Sequence, residues 1–203
     1  ADAGEVRVDG AVATGHVEAF AYMPQRDLLF PWRRVLDNTT IGLEIQGVSR
    51  DEARRRAGAL FERFGLAGFE QAYPHTLSGG MRQRAALLRT VVQERPILLL
   101  DEPFGALDAL TRMEMQEWLP GMSTEFGWTG LLVTHDVREA ALLSDRVVVL
   151  TPRPASVAGT IEVPLPRPRH LDDFSDPAFV RVEAALMQAL RARGTSGSIA
   201  HTP

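Results

Sequence analysis

No lysine and no cysteine occur among the 203 residues; all 22 basic residues are arginine. The missing cysteine excludes disulfides, thiolate-ligated zinc and thiol catalysis, and it is compatible with a reducing compartment. The missing lysine excludes a phosphate-binding loop of the GxxxxGK type, in which a lysine followed by Ser or Thr reaches the phosphates. Long apolar runs are absent too. ILLL (97–100) and VVVL (147–150) stop far short of the roughly 20 residues that cross a bilayer, and the opening ADAGEVRVDG lacks the charged-then-apolar pattern of an export signal. A basic surplus is also lacking: the net charge of -4 speaks against a nucleic-acid binder, which gains affinity from a clustered basic face. The run Arg54-Arg55-Arg56, beside Asp51 and Glu52, reads as a solvated helix face.

What is present is a globular composition, 45% hydrophobic and 24% charged, enough to bury a core. GEVRVDG alternates Val6 and Val8 with polar neighbours and runs into a tight turn at Asp9-Gly10. EAFAYMPQ is a second short strand. Helical spacing covers 35–46 and 49–64, where Ser49 can cap and Ala53, Ala57, Leu60, Phe61 and Phe64 share a face, with Gly65 as the stop. A helix from Gly79 to about Glu94 leads to Ile97–Leu100, an unbroken apolar strand of the kind buried on both faces of a parallel sheet. TGLLVTHD and DRVVVL read as two more such strands, and GTIEV as the last. Strand and helix alternate, so the expected class is α/β. Residues 111–127 are helical by pattern, yet Pro120-Gly121 in their middle predicts a kink or break, since an interior proline costs roughly 3 kcal/mol. An amphipathic helix is expected from Ser175 to Arg193 with Pro177 in its first turn, followed by a disordered tail over 194–203.

Two clusters carry chemistry. Asp101 and Glu102 close the Ile97 strand, where open α/β sheets place ligand sites; neighbours on a chain point apart and can take different roles, or form a plain acidic turn. LSGGMRQR sets Ser78 and two glycines before a helix, which reads either as an anion site, where a helix N-terminus offers bare amides, or as a serine cap on a flexible turn. His16, His75, His170 and His201 have no metal-ligand spacing and read as exposed or structural.

Taken in order, these residues resemble the ATP-binding subunit of ABC transporters. Gln25 matches the Q-loop glutamine, LSGGM the signature, ILLLDE the Walker B strand, Ala106-Leu107-Asp108 the D-loop and His135 the H-loop histidine. The likeness runs from about Gly4 to His170. It implies a P-loop NTPase fold, N-terminally truncated, over 1–170, with a helical subdomain at about 34–95 and a C-terminal helix over 171–193. The flanking MPQRDLLFPWRRVLDN and DEPFGALDALTR resemble the nitrate, sulfonate and taurine importers, and FERFGLAGFEQAYPHTLSGGMRQR leans toward importers of thiamine's pyrimidine precursors.

The resemblance implies ATP and Mg²⁺ as cofactors, held between two head-to-tail subunits. Asp101, with Gln25, is expected at Mg²⁺; Glu102 as general base on the attacking water; Gln25 as sensor of the γ-phosphate; and His135 at that phosphate near the transition state. Ser78, Gly79, Gly80 and Gln83 are expected to close over nucleotide bound by the opposite copy, and Asp108 to sit at the dimer interface. The 53 positions from Gln25 to Ser78 leave no room for a coiled-coil arm, which disfavours chromosome-maintenance relatives. The surface from Arg26 to Trp32 is expected to meet an integral membrane permease, with Leu28, Leu29, Phe30 and Trp32 either facing it or packing in the core. An extracytoplasmic solute-binding protein acts indirectly, no nucleic acid is expected, and the subunit is placed on the cytoplasmic face of the membrane.

The family pattern opens with an adenine-stacking aromatic and a phosphate loop, both expected upstream of GEVRVDG. Without three charge-assisted phosphate contacts, on the order of 5–9 kcal/mol is lost, roughly a thousandfold or more in affinity. The chain alone is therefore expected neither to bind ATP tightly nor to turn it over, and to show strand edges where the phosphate-loop strand belongs. Two readings stay open: a part of an ordinary transport ATPase, or a non-catalytic subunit lending its signature face to an intact partner.

Overall fold

The computed structural model describes residues 4–13 and 17–191; His16, His201 and the expected tail lie outside them. The chain divides into two compact units, Ala1–Arg112 with Gly127–Val133, and Met113–Phe126 with Thr134–Pro203.

In the first unit β1 (Arg7–Val8) and β2 (Ala11–Val12) form an antiparallel hairpin about Asp9 and Gly10, whose φ values of 49° and 79° are the left-handed pair a tight hairpin turn needs. β3 (Phe20–Met23) leads through an irregular segment to α1 (Val35–Thr39) and α2 (Ile41–Ile45). One helix was expected over 35–46. It is divided because Thr39 and Thr40 turn their hydroxyls back on the carbonyls of Leu36 (2.7 Å) and Asp37 (3.0 Å), the competition with the backbone that β-branched hydroxyl residues exert. α3 (Arg50–Gly58) is capped by Ser49, as expected, but stops short of Phe64. There the ladder tightens to i–3 bonds, Leu60 to Ala57 and Phe61 to Gly58, while Phe61 and Phe64 still enter the core and Leu60 is half-buried. Gly65 has φ 63° and marks the stop.

α4 (Gly79–Val91) packs on this layer and feeds β4 (Ile97–Asp101). α5 (Ala109–Phe126) follows, and β5 (Thr129–Val133) completes a parallel sheet in the order β3-β4-β5. The α/β class is as expected, but burial on both faces is not. Ala21, Met23, Leu98 and Leu100 are buried, while the register sets Tyr22, Leu99 and Leu131 side by side on the other face, where Leu131 is 60% exposed. Among the described residues β3 and β5 each pair along one edge only.

The second unit corrects two further expectations. α5 runs uninterrupted through Pro120, which is buried in it, so the expected break is not found. The Thr124 hydroxyl donates to the Pro120 carbonyl at 2.9 Å, and a single missing N–H leaves the rest of an 18-residue ladder intact. Among the described residues DRVVVL pairs antiparallel, not parallel. α6 (Val137–Leu143) is followed by β6 (Arg146–Leu150), which pairs antiparallel with β7 (Val157–Glu162), leaving Val148 and Leu150 exposed. The core here joins Leu142, Val149, Val163, Phe179, Val182 and Leu186, the last three from α7 (Pro177–Arg191). Arg169, only 2% exposed, donates to the carbonyls of Ala141 (3.0 Å) and Ser144 (2.6 Å) at the end of α6, and to Val163 (3.2 Å) and Leu165 (2.9 Å). One guanidinium thus satisfies carbonyls that a helix end leaves without partners.

No helix among the described residues is long and apolar enough to cross a membrane.

Candidate functional site

The sheet delivers Asp101 and Glu102 to the C-terminal end of its central strand, and their side chains part. Asp101 Oδ2 accepts from the Tyr22 phenol at 3.0 Å, whereas Glu102 Oε2 accepts from Gln25 Nε2 at 2.9 Å. Glu102 sits in the left-handed region (φ 44°), rare for a residue with a side chain and a form of strain that gathers at functional sites. Its conformation is held by its own N–H on Val133 O (2.8 Å) and by its carbonyl accepting from Gly105 N (3.0 Å). Tyr22 was not anticipated; only the strand register, setting Tyr22 against Leu99 and two residues from Asp101, reveals it. The carboxylate beside it raises the Tyr22 pKa above 10.0, chiefly through the hydrogen bond.

Ser78 caps α4, its Oγ accepting from Met81 N at 3.2 Å. Gly79 and Gly80 form the first turn, and Gly80 is there for space: a Cβ on it would lie 2.3 Å from Thr111 Cγ2. Gln83 is buried one turn on, its Oε1 without a hydrogen-bond partner among the described residues. A shallow groove brings Gly79 and Gln83 alongside Arg26, Leu28, Ala106 and Leu107. Asp108 is exposed just before α5, accepting from Thr111 N (3.1 Å) and Thr111 Oγ1 (2.8 Å), which lower its pKa below 3.8. The signature glycines and the D-loop are therefore neighbours in the first unit.

His135 belongs to the second unit and is exposed. The residues around it are fixed: Asp136 caps α6 by accepting from Arg138 N (2.8 Å) and Glu139 N (3.1 Å), and Thr134 donates to the buried Glu139 at 2.7 Å. His75 is exposed and stacks on Tyr73, and His170 faces Glu117 at 2.6 Å, both structural settings.

Between Gln25 and α1 the chain divides its apolar residues. Leu29 is buried, while Leu28, Phe30 and Trp32 are exposed, Trp32 by 72%, with the Phe30 and Trp32 rings stacked at 5.1 Å. Buried Asn38 pins this segment by accepting from Phe30 N (2.7 Å) and donating to the carbonyls of Phe30 (3.1 Å) and Arg33 (3.1 Å). The arginine run is only partly a solvated face. Arg54 makes a two-pronged bond to the buried Asp37, at 2.7 and 3.0 Å, because an interior carboxylate needs a paired cation; Arg55 and Arg56 bind Glu52.

No group of three metal-ligating side chains occurs among the described residues. The Asp101 carboxylate offers oxygen ligands of the kind a hard cation such as Mg²⁺ takes, alongside water and phosphate, rather than a protein-built cage.

A family model described as ABC transporter matches residues 1–105. The formylaminopyrimidine import ATP-binding protein ThiZ of Halalkalibacterium halodurans is 51% identical over 143 residues, 70% of this chain and 57% of its own length. The aliphatic sulfonates import ATP-binding protein SsuB of Ralstonia nicotianae is 42% identical over 192 residues, 95% of this chain and 64% of its own. The taurine import ATP-binding protein TauB of Burkholderia thailandensis is 40% identical over 92% of this chain and 74% of its own length. The chain thus spans less than two thirds of the first two relatives. Among solved structures, the dimeric ATP-binding cassette MJ0796 bound to ADP and Pi is 26% identical with a TM-score of 0.65, covering 79% of this chain and 74% of that one.

Proposed function

Because the chain belongs to the ABC transporter family of ATP-binding proteins, we propose that it is part of an ATP-hydrolysing subunit that powers solute import through a membrane permease, of the sulfonate, taurine or pyrimidine-precursor type. The observation that carries the reading is the hydrogen bond from Gln25 to Glu102 beside Asp101 at the end of β4. Glu102 is the general base, withdrawing a proton from the attacking water, and Gln25 orients that carboxylate while offering its amide oxygen to Mg²⁺. Asp101 would hold the same ion. Mg²⁺, when bound, supplies the charge that offsets the phosphates. His135 donates toward the γ-phosphate as charge builds on it.

Ser78, Gly79, Gly80 and Gln83 close over the nucleotide of a second, head-to-tail copy, with Asp108 at that interface; the neighbouring placement of Gly79, Gly80 and the D-loop supports this. The exposed Leu28, Phe30 and Trp32 support a permease contact, which sets the subunit on the cytoplasmic face of the membrane and links it indirectly to an extracytoplasmic solute-binding protein. The cassette over 1–170, with its helical subdomain at about 34–95 and the C-terminal segment over 171–193, is the unit we assign these roles.

A second reading is that this chain lends its signature to an intact partner. ATPase assays on the permease-bound complex separate the two. Under the first reading Glu102→Gln lowers turnover at least a hundredfold and Ser78→Arg does the same. If Ser78→Arg abolishes turnover while Glu102→Gln leaves it unchanged, the lending role holds and the hydrolytic roles given to this chain are wrong.

A further inference from the structure

Glu139 takes no part in the chemistry assigned to Asp101, Glu102, Gln25 and His135, yet it is a carboxylate only 4% exposed, in the first turn of α6. Taking a carboxylate out of water is costly unless donors meet its oxygens, and both are met. Gln116 Nε2 of α5 donates to Oε1 at 3.0 Å, and the Thr134 hydroxyl donates to Oε2 at 2.7 Å. That hydroxyl has a second partner. With its hydrogen turned to Glu139, Thr134 Oγ1 presents its lone pairs elsewhere, and it accepts from Asp136 N at 3.0 Å. Asp136 in turn caps α6, its Oδ1 accepting from Arg138 N (2.8 Å) and from Glu139 N (3.1 Å). The bonds thus run from Glu139 through Thr134 to Asp136 and back to Glu139, and the residue inside that ring is His135. All of them, with Gln116, belong to the second unit.

We propose that Glu139, acting through Thr134, is a positioning residue for His135: it aligns the Thr134 hydroxyl so that the backbone on both sides of His135 is tied to the start of α6. An apolar side chain of equal volume fills a buried site at no greater cost than a carboxylate, so packing alone does not call for Glu139. What only an acceptor can do is direct the Thr134 hydrogen away from the Asp136 amide, leaving Oγ1 to receive that amide. The side chains of Thr134 and Asp136 both turn back to α6, while His135 between them remains exposed. An imidazole that meets charge as it develops must be held to within roughly 0.5 Å of its productive place, and an exposed side chain on a loose turn is not. This role rests on the reading of His135 given above.

Amide hydrogen exchange and backbone relaxation on the full chain test the ring without nucleotide or permease. Thr134→Val keeps the shape and removes the hydroxyl, so the Asp136 amide is expected to exchange about tenfold faster and the His135 order parameter to fall from about 0.85 to below about 0.6, with β6 and α7 unchanged. Thr134→Ser, which keeps the hydroxyl, is expected to stay near wild type. Glu139→Gln, whose amide oxygen can still accept from Thr134, is expected within about threefold of wild type, and Glu139→Leu to match Thr134→Val. Should Glu139→Leu fail to fold, Thr134→Val against Thr134→Ser decides alone. An unmoved His135 turn in Thr134→Val, or loosening spread equally over α5, β6 and α7, overturns the proposal. In the permease-bound complex Thr134→Val is expected to lower kcat about tenfold at unchanged KM, and by less than about twofold when His135→Ala is already present. An unchanged kcat where His135→Ala lowers it, or a loss that adds in full to that of His135→Ala, overturns the positioning role. If His135→Ala itself leaves turnover unchanged, the reading of His135 fails while the ring measured in the chain stands.

Discussion

The tightest packing at the candidate site lies between the second signature glycine and the start of α5, and Gly80→Ala probes it. A Cβ on Gly80 would stand 2.3 Å from Thr111 Cγ2, about 1 Å inside the 3.4 Å at which ordinary contact begins. Thr111 cannot simply turn aside: it is branched at Cβ, and its hydroxyl is committed to Asp108 Oδ2 at 2.8 Å. Rotating it away forfeits a hydrogen bond to a charged group, roughly 1.5–3 kcal/mol, and keeping it forces an overpacking strain of about 1–3 kcal/mol. Against this, Gly to Ala in a helix returns at most about 1 kcal/mol. The net expectation is a destabilisation of about 1–2 kcal/mol, measured by urea unfolding. Thr111→Ser removes the offending methyl and keeps the hydroxyl, so the double variant is expected within about 0.5 kcal/mol of Thr111→Ser alone, a coupling of about 1–2 kcal/mol. Gly79→Ala is the control, since its Cβ meets Leu107 Cδ2 at an ordinary 3.7 Å, and it is expected to be neutral. A neutral Gly80→Ala, or one equally damaging with and without the Thr111 methyl, would refute the steric account.

Arg169→Met is expected to cost about 3–5 kcal/mol in urea unfolding, because the carbonyls of Ala141, Ser144, Val163 and Leu165 lose a buried charged donor; a loss below about 1 kcal/mol contradicts that. The Glu117 carboxylate raises the His170 pKa above 6.5, and the Leu171 N–H and then His170 lower the Glu117 pKa below 4.5. The His170 contribution is complete below pH 6.5 and is lost as pH rises through its raised value; the Glu117 contribution is complete above pH 4.5 and is lost as pH falls through its lowered value. The stability difference between wild type and Glu117→Gln should therefore be largest between about pH 4.5 and 6.5, and a pH-independent difference contradicts the pairing. Ser49→Ala is expected to lower stability by about 1 kcal/mol through loss of the α3 cap, and no change would mean that cap is idle. Calorimetric titration of the isolated chain is expected to show no tight ATP binding, for want of a phosphate-loop lysine; stoichiometric binding at micromolar ATP overturns this.

Where local chemistry dictates geometry, the sequence was readable. Ser49 and Ser78 were legible as caps because a hydroxyl at that position serves the third amide of the helix it precedes, and Asp9-Gly10 as a turn because its dihedral demand is local. The adjacency of Asp101 and Glu102 at a strand end was legible from the apolar run before them. Errors fell where the hydrophobic pattern or a single residue's preference was not what decided. Thr39 and Thr40 divide a helix that periodicity ran as one, Pro120 stays inside a helix that its own chemistry argues against, and DRVVVL, as apolar as ILLL, pairs antiparallel with β7. An apolar run announces burial to a sequence reader but does not say which edge it joins or whether its second face is covered.

By its sequence alone this chain declared its family and its α/β class, because motifs and periodicities are properties of neighbouring residues. Only the tertiary structure decided that Tyr22 meets Asp101 across 79 positions, that Arg89 holds the backbone of Leu28 across 61, and that a single buried arginine closes α6. These bonds depend on strand register and helix packing, which place distant residues within hydrogen-bonding reach and leave no periodic trace in the chain.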